Sequence, residues 1–119
     1  MLSAISSALS GLMAFAKKTN VASNNLANTL TDDFKKSRVT MKEGSAGGVD
    51  ATVEKVNTPD YPISESIRQI NNITAKESSN VDIAEEMTNL ILSEKGYKAN
   101  LKTIKAVDEN LGTLLDIKA

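Results

Sequence analysis

Two stretches, one at each end of a 119-residue chain, repeat apolar residues at alternating steps of three and four. At the start the positions are Leu2, Ile5, Leu9, Leu12, Ala16, Thr19, Ser23, Leu26 and Leu30. At the end they are Ile83, Met87, Leu90, Glu94, Tyr97, Leu101, Ile104, Asp108, Leu111 and Leu115. Such spacing keeps side chains on one side of a helix, and over several heptads it is the pattern of a coiled-coil seam. It predicts one helix within 1–31 and another within 79–119, about 42 and 54 Å long at 1.5 Å per residue. The second has a start signal. Ser79-Asn80-Val81-Asp82 supplies capping side chains, and Asp82, Glu85 and Glu86 suit the positive end of the helix dipole. Glu94 and Asp108 bring charge into the seam, which weakens it but selects register and partner. Glu94 also stands four residues before Lys98, a favourable helical pair.

The segment 32–78 follows a different period. Val39 and Met41 alternate with polar residues, Gly44-Ser45-Ala46-Gly47-Gly48 offers a turn, and Val49, Ala51 and Val53 resume the alternation, which predicts a hairpin. Val56 falls out of phase and suggests a bulge. Thr58-Pro59-Asp60-Tyr61-Pro62 reads as a loop, and Ile67, Ile70 and Ile73 as mostly irregular chain. Two strands alone are marginal in water, so the hairpin has to lean on a helix or a neighbour. The expected fold is mainly α: long N- and C-terminal helices paired seam to seam as a coiled coil, with a short β-hairpin and irregular insert at one end. Residues 1–31 and 79–119 form one discontinuous core in this reading, and 32–78 the insert.

Composition removes most alternatives. Histidine and cysteine are both absent, so the commonest general base, metal ligands and thiol nucleophile are missing, and no disulfide is possible. The carboxylate pairs Asp32-Asp33, Glu85-Glu86 and Asp108-Glu109 are sequence neighbours, about 100° apart if helical, and do not converge on a substrate. Asp82 and Glu86 share a face but are explained by the helix start. The glycine-rich turn lacks the Lys-Ser/Thr of a phosphate loop. These features predict no enzyme, no cofactor and no metal. A net charge of −1 argues against nucleic acid as a partner. No stretch approaches the roughly 20 apolar residues that insert across a bilayer. Leu2–Ala16 ends in Ala14-Phe15-Ala16, which mimics a signal-peptidase site, but no basic residue precedes Lys17 and the helical seam runs on past it. Retention of this segment is the expectation. The first 31 residues contain no Asp or Glu and only two lysines, too little charge for a lone solvated helix. Such a helix docks on its own partner helix or is surrounded by other subunits.

Two blocks of sequence then carry a resemblance. Ser7-Ala8-Leu9-Ser10-Gly11-Leu12 is followed by Asn24-Asn25-Leu26-Ala27-Asn28-Thr29 and Phe34-Lys35-Lys36-Ser37-Arg38. Ser79-Asn80-Val81-Asp82-Ile83-Ala84-Glu85-Glu86-Met87 is followed by Tyr97-Lys98-Ala99-Asn100 and Leu111-Gly112-Thr113-Leu114-Leu115-Asp116. Both blocks resemble the bacterial flagellar axial family of rod and hook subunits, in order and position, and the short middle is most similar to the small proximal-rod subunits. Two positions depart from the family pattern: Asp33 stands where Gly is common, and Gly96 sits mid-helix where a better helix former is usual.

The resemblance implies a basal-body rod subunit in the periplasm, polymerising through its terminal helices into a drive shaft for motility. It implies export through the flagellar type III apparatus without a cleaved signal, and partners that are copies of the chain and other axial proteins. Packing and assembly are expected from Leu2, Ile5, Leu9, Leu12 and Leu26 against Met87, Leu90, Leu101, Ile104 and Leu111, with Tyr97 beside them. Asn24, Asn25 and Asn28 match the family's first motif, either as an uncharged helix face or as packing between subunits. The competing reading is a non-polymerising coiled-coil adaptor or export chaperone with an axial-like fold.

Overall fold

The computed structural model describes residues 2–45, 47–58 and 77–118, so the expected loop at Pro59–Pro62 and the isoleucines at 67, 70 and 73 lie outside the described residues. The elements are α1 (Leu2–Ala27), β1 (Ser37–Glu43), β2 (Val49–Lys55) and α2 (Ile83–Lys118). The expected mainly helical class, with two long helices around a small antiparallel hairpin, is what the chain adopts.

α1 stops four residues short of Thr31, the end of the expected helical segment, for a local reason. Thr29 Oγ1 donates to Leu26 O at 2.8 Å and to Asn25 O at 3.4 Å, so a side chain engages the carbonyls that a further turn needs. α2 starts as expected. Asp82 Oδ1 accepts from the N–H groups of Ala84 at 2.8 Å and Glu85 at 3.2 Å, capping the helix.

The strands pair antiparallel and continuously from Ser37 opposite Lys55 to Glu43 opposite Val49. Val56 N then donates to Lys36 O at 2.9 Å, so the ladder runs one pair further and the expected bulge is absent. Gly47 and Gly48 take φ of 81° and 84°, which closes the turn in a backbone conformation that glycine adopts without strain. Gly48 also lies against Ser7 and Ser10 of α1, where a side chain would collide with Ser10.

The hairpin is not at one end of the helix pair. It lies along α1, from Ser37 beside Asn25 to Val49 beside Ser10. The helices run antiparallel: Gly11 meets Asn100, Phe15 meets Gly96 and Asn25 meets Glu86. The chain measures 82 × 25 × 14 Å. A third dimension near one helix diameter, about 10–12 Å, leaves no room for a second layer. Most large apolar side chains therefore remain outside.

Candidate functional site

The contact between α1 and α2 is built from small and polar residues. Ala8, Gly11, Ala14, Ala22 and Asn25 are the buried residues of α1, and Glu86 and Ser93 are buried on α2. Two glycines set the separation. A methyl at Gly96 would fall on the Phe15 ring, and one at Gly11 would lie 2.8 Å from the Asn100 amide. Each helix thus offers a glycine socket to a side chain of the other. A glycine inside a helix costs about 1 kcal/mol relative to alanine, and at Gly96 that cost accompanies the seating of Phe15. The departure from a better helix former at this position is a packing feature.

The large apolar residues of the two stripes are less buried than these small and polar ones. Leu2 is 84% exposed, Leu9 51%, Met87 53%, Leu101 49% and Tyr97 41%, while Ile5, Leu12, Leu26, Leu90, Ile104 and Leu111 are half-buried. The stripes flank the most deeply buried part of the contact. Both lie on the same side of the pair: Ala16 and Thr19 line one wall of a groove of about 490 Å³, and Leu90, Glu94 and Tyr97 the other. The physical reason is reach. Antiparallel helices approach closely only where side chains are small, and the alanine, glycine and serine positions are those of a face rotated by roughly one residue, about 100°, from the large apolar stripe.

Asn25 is fully buried and joins three elements. Its Nδ2 donates to Ser37 O at 2.8 Å and Glu86 Oε1 at 2.9 Å, while its Oδ1 accepts from Ser37 N at 2.9 Å. The ladder's bonding pairs, Gly44 with Gly48 and Lys36 with Val56, leave Ser37's own groups pointing off the outer edge of β1. The Asn25 amide meets both of them, as a neighbouring strand would. α1 also covers the edge of β2: Val49 N donates to Ser10 Oγ at 3.0 Å, and Lys17 Nζ donates to Ala51 O at 2.8 Å. Neither reading of Asn25 from sequence describes this internal bracket. Asn24 is exposed and Asn28 half-buried, and neither joins the bracket.

A second polar joint ties the insert to the start of α2. Asn80 is buried, with Oδ1 accepting from Lys36 N at 2.6 Å and Nδ2 donating to Val56 O and Thr58 O, each at 2.8 Å. Lys36 Nζ pairs with Glu85 at 2.6 Å. Asp33 has φ of 60°, a left-handed conformation in which glycine is at ease. Its side chain accounts for its presence: Asp33 Oδ1 accepts from Glu77 N at 2.9 Å and Asp33 N donates to Glu77 O at 2.7 Å. Nothing in the sequence pattern singled out Asn80, Ser93 or Gly11 as packing residues.

Among the described residues no group of three or more acidic, histidine or cysteine side chains is placed to hold a metal, and no helix is long and apolar enough to cross a membrane. What the surface offers is a broad apolar face, with Leu9, Met13, Met87, Ile91 and Leu101 about half exposed or more.

The comparisons with known proteins fit that surface. The model of the flagella basal body rod protein family matches residues 5–35, and that of the flagellar basal body rod FlgEFG protein C-terminal family matches residues 75–117. The flagellar hook protein FlgE of Helicobacter pylori is 48% identical over 42 residues, 35% of this chain and 6% of that protein. The Escherichia coli hook protein FlgE is 41% identical over 44 residues, 37% of this chain and 11% of that protein. The flagellar hook-basal body complex protein FlhP of Bacillus subtilis is 45% identical over 42 residues, 35% of this chain and 16% of that protein. The chain thus spans a small part of these relatives' length. Both of its terminal segments are thus similar to proteins of the bacterial flagellar rod and hook family.

Proposed function

We propose that this chain is a subunit of the flagellar basal-body rod, polymerising with copies of itself and other axial proteins into the shaft that transmits rotation. The observation that carries this reading is the position of the large apolar residues. A chain that, among its described residues, buries only Ala8, Ala14 and Ala22 as hydrophobic residues, while Leu9, Met13, Met87, Ile91 and Leu101 stay about half exposed or more, is built to be completed by neighbours. Residues 1–31 and 79–119 act as one core unit and 32–78 as an insert, whose hairpin is braced on α1. The same surface favours a structural over a catalytic role.

Export without cleavage belongs to this reading. Ala8, Gly11, Ala14 and Phe15 are built into the contacts with α2 and the hairpin, so cutting after Ala16 would remove the partner of Gly96. The type III apparatus and a periplasmic position are the route and destination that fit an axial subunit.

The test uses Leu101→Asp. Leu101 is 49% exposed, so the isolated chain keeps its helical content when the substitution is made. Burying the new carboxylate between subunits is strongly unfavourable, so the variant is expected to be missing from purified basal bodies and to fail in swimming. Normal incorporation would overturn the polymerisation reading. Recovery of the wild type only as a defined soluble oligomer, never with basal bodies, would favour an adaptor.

A further inference from the structure

The helices contain three glycines, and two of them explain themselves. Gly11 receives Asn100 and Gly96 receives Phe15, each from the opposite helix of the same chain. Gly112 is the third, and among the described residues nothing lies within 4 Å of the position its methyl would occupy. It is also not aimed at α1. Sixteen residues beyond Gly96, it is turned about 160° around the α2 axis from that socket. The same turn of helix brings it into line with Met87, Glu94 and Leu101 of the exposed stripe.

We propose that Gly112 is a third socket, filled by a large side chain from α1 of a second copy. This deepens the polymerisation reading and rests on it. Charge complementarity selects α1 as the occupant. Around Gly112 stand Asp108, Glu109 and Asp116, with Lys105 paired to Glu109 at 3.8 Å, so the rim is net negative. α1 carries no carboxylate and two lysines, Lys17 and Lys18. Its exposed ridge holds Leu2, Leu9 and Met13, with Met13 67% exposed. That ridge enters an interface without desolvating a carboxylate, whereas the outer side of α2 carries acidic residues that would meet the acidic rim. Gly112 and the α1 ridge are different surfaces, so the contact is head-to-tail and propagates.

The chain has no cysteine, which makes cross-linking direct. Gly112→Cys combined with Met13→Cys, produced in place of the wild type, is expected to give disulfide-linked ladders of this chain in isolated basal bodies. Thr113→Cys with Met13→Cys is expected to give none, because Thr113 is turned about 100° away. A ladder from the control alone, or a cross-link from the Gly112→Cys thiol only to a different protein, would overturn the choice of α1 as occupant. Gly112→Leu fills the socket with a good helix former, so the free chain is expected to remain as helical as the wild type while its incorporation falls at least tenfold. If wild type and Gly112→Leu enter basal bodies equally, the socket is refuted and polymerisation stands. If the wild type itself never enters them, the polymerisation reading falls first.

Discussion

Gly96 and Phe15 show how a single residue sets the distance between two helices. Without a Cβ at Gly96 the aromatic ring lies directly on the α2 backbone, and a methyl there has no room. Gly96→Ala gains helix propensity, about 1 kcal/mol, but overpacking a close contact costs typically 1–3 kcal/mol. The expected net change is a lower denaturant midpoint, by up to about 2 kcal/mol in stability. Adding Phe15→Leu is expected to restore part of the loss, because a smaller side chain frees the space. A stabilised Gly96→Ala single variant would show that the ring moves aside without strain. Asp33 is a related case at a turn. Its left-handed backbone favours glycine, yet its carboxylate makes a bond to Glu77 N that glycine lacks.

At the scale of elements, the hairpin is held by α1 through side chains that meet strand edges. Asn25→Ala removes three hydrogen bonds and leaves the Ser37 peptide groups and the Glu86 carboxylate without that partner. Unsatisfied buried groups cost about 1–3 kcal/mol each, so a loss of about 2–4 kcal/mol is expected in denaturant unfolding. Hydrogen exchange at the Ser37 amide is expected to accelerate first, before that of the α1 interior, because the edge bond is lost directly. Equal protection of that amide in the variant would refute the bracket. On α2, the Glu94 carboxyl is held below the ordinary glutamate range by its hydrogen bond to Lys98, then by the charge of Lys98 and, less, of Lys95. A lowered folded-state value stabilises the chain above the unfolded pKa, and that contribution is lost as pH falls through the folded one. Glu94 is fully exposed, so the effect on stability is slight. An NMR titration is expected to find its midpoint low in the wild type and raised toward the ordinary value in Lys98→Ala.

The whole molecule is long and one helix thick, and its stability has to be read accordingly. The three alanines buried among the described residues do not make a core, and the polar brackets hold geometry more than they add free energy. The free chain is therefore expected to be marginal, with the helix ends fraying, and to gain stability by mass action as neighbours bind. The segment before Lys17 is part of that geometry. Intact mass of protein recovered from the cell envelope is expected to include Leu2–Ala16, and a species beginning at Lys17 would contradict its structural role. Such a species would also lack Gly11 and Phe15, and with them both glycine sockets between the helices.

The sequence by itself determined which elements exist. Alternation by three and four marked both helices, alternation by two marked Val39–Met41 and Val49–Val53, and Asp82 marked the start of α2. These signals are local, because they depend on the phase of neighbouring side chains along one element. The resemblance in the two terminal blocks likewise needed no coordinates. Which helix faces meet was decided only by the tertiary structure. A stripe of Leu, Ile and Met announces burial without naming the partner, and here the close approach went to Ala, Gly, Ser and Asn. Gly96 looked like a poor helix former until Phe15, 81 positions away in the sequence, was found lying on it. Asn25 was one polar residue among three until its amide met a strand edge 12 residues on and a carboxylate 61 residues on. Hydrogen bonds and close contacts of that separation are set by antiparallel register, which periodicity does not encode.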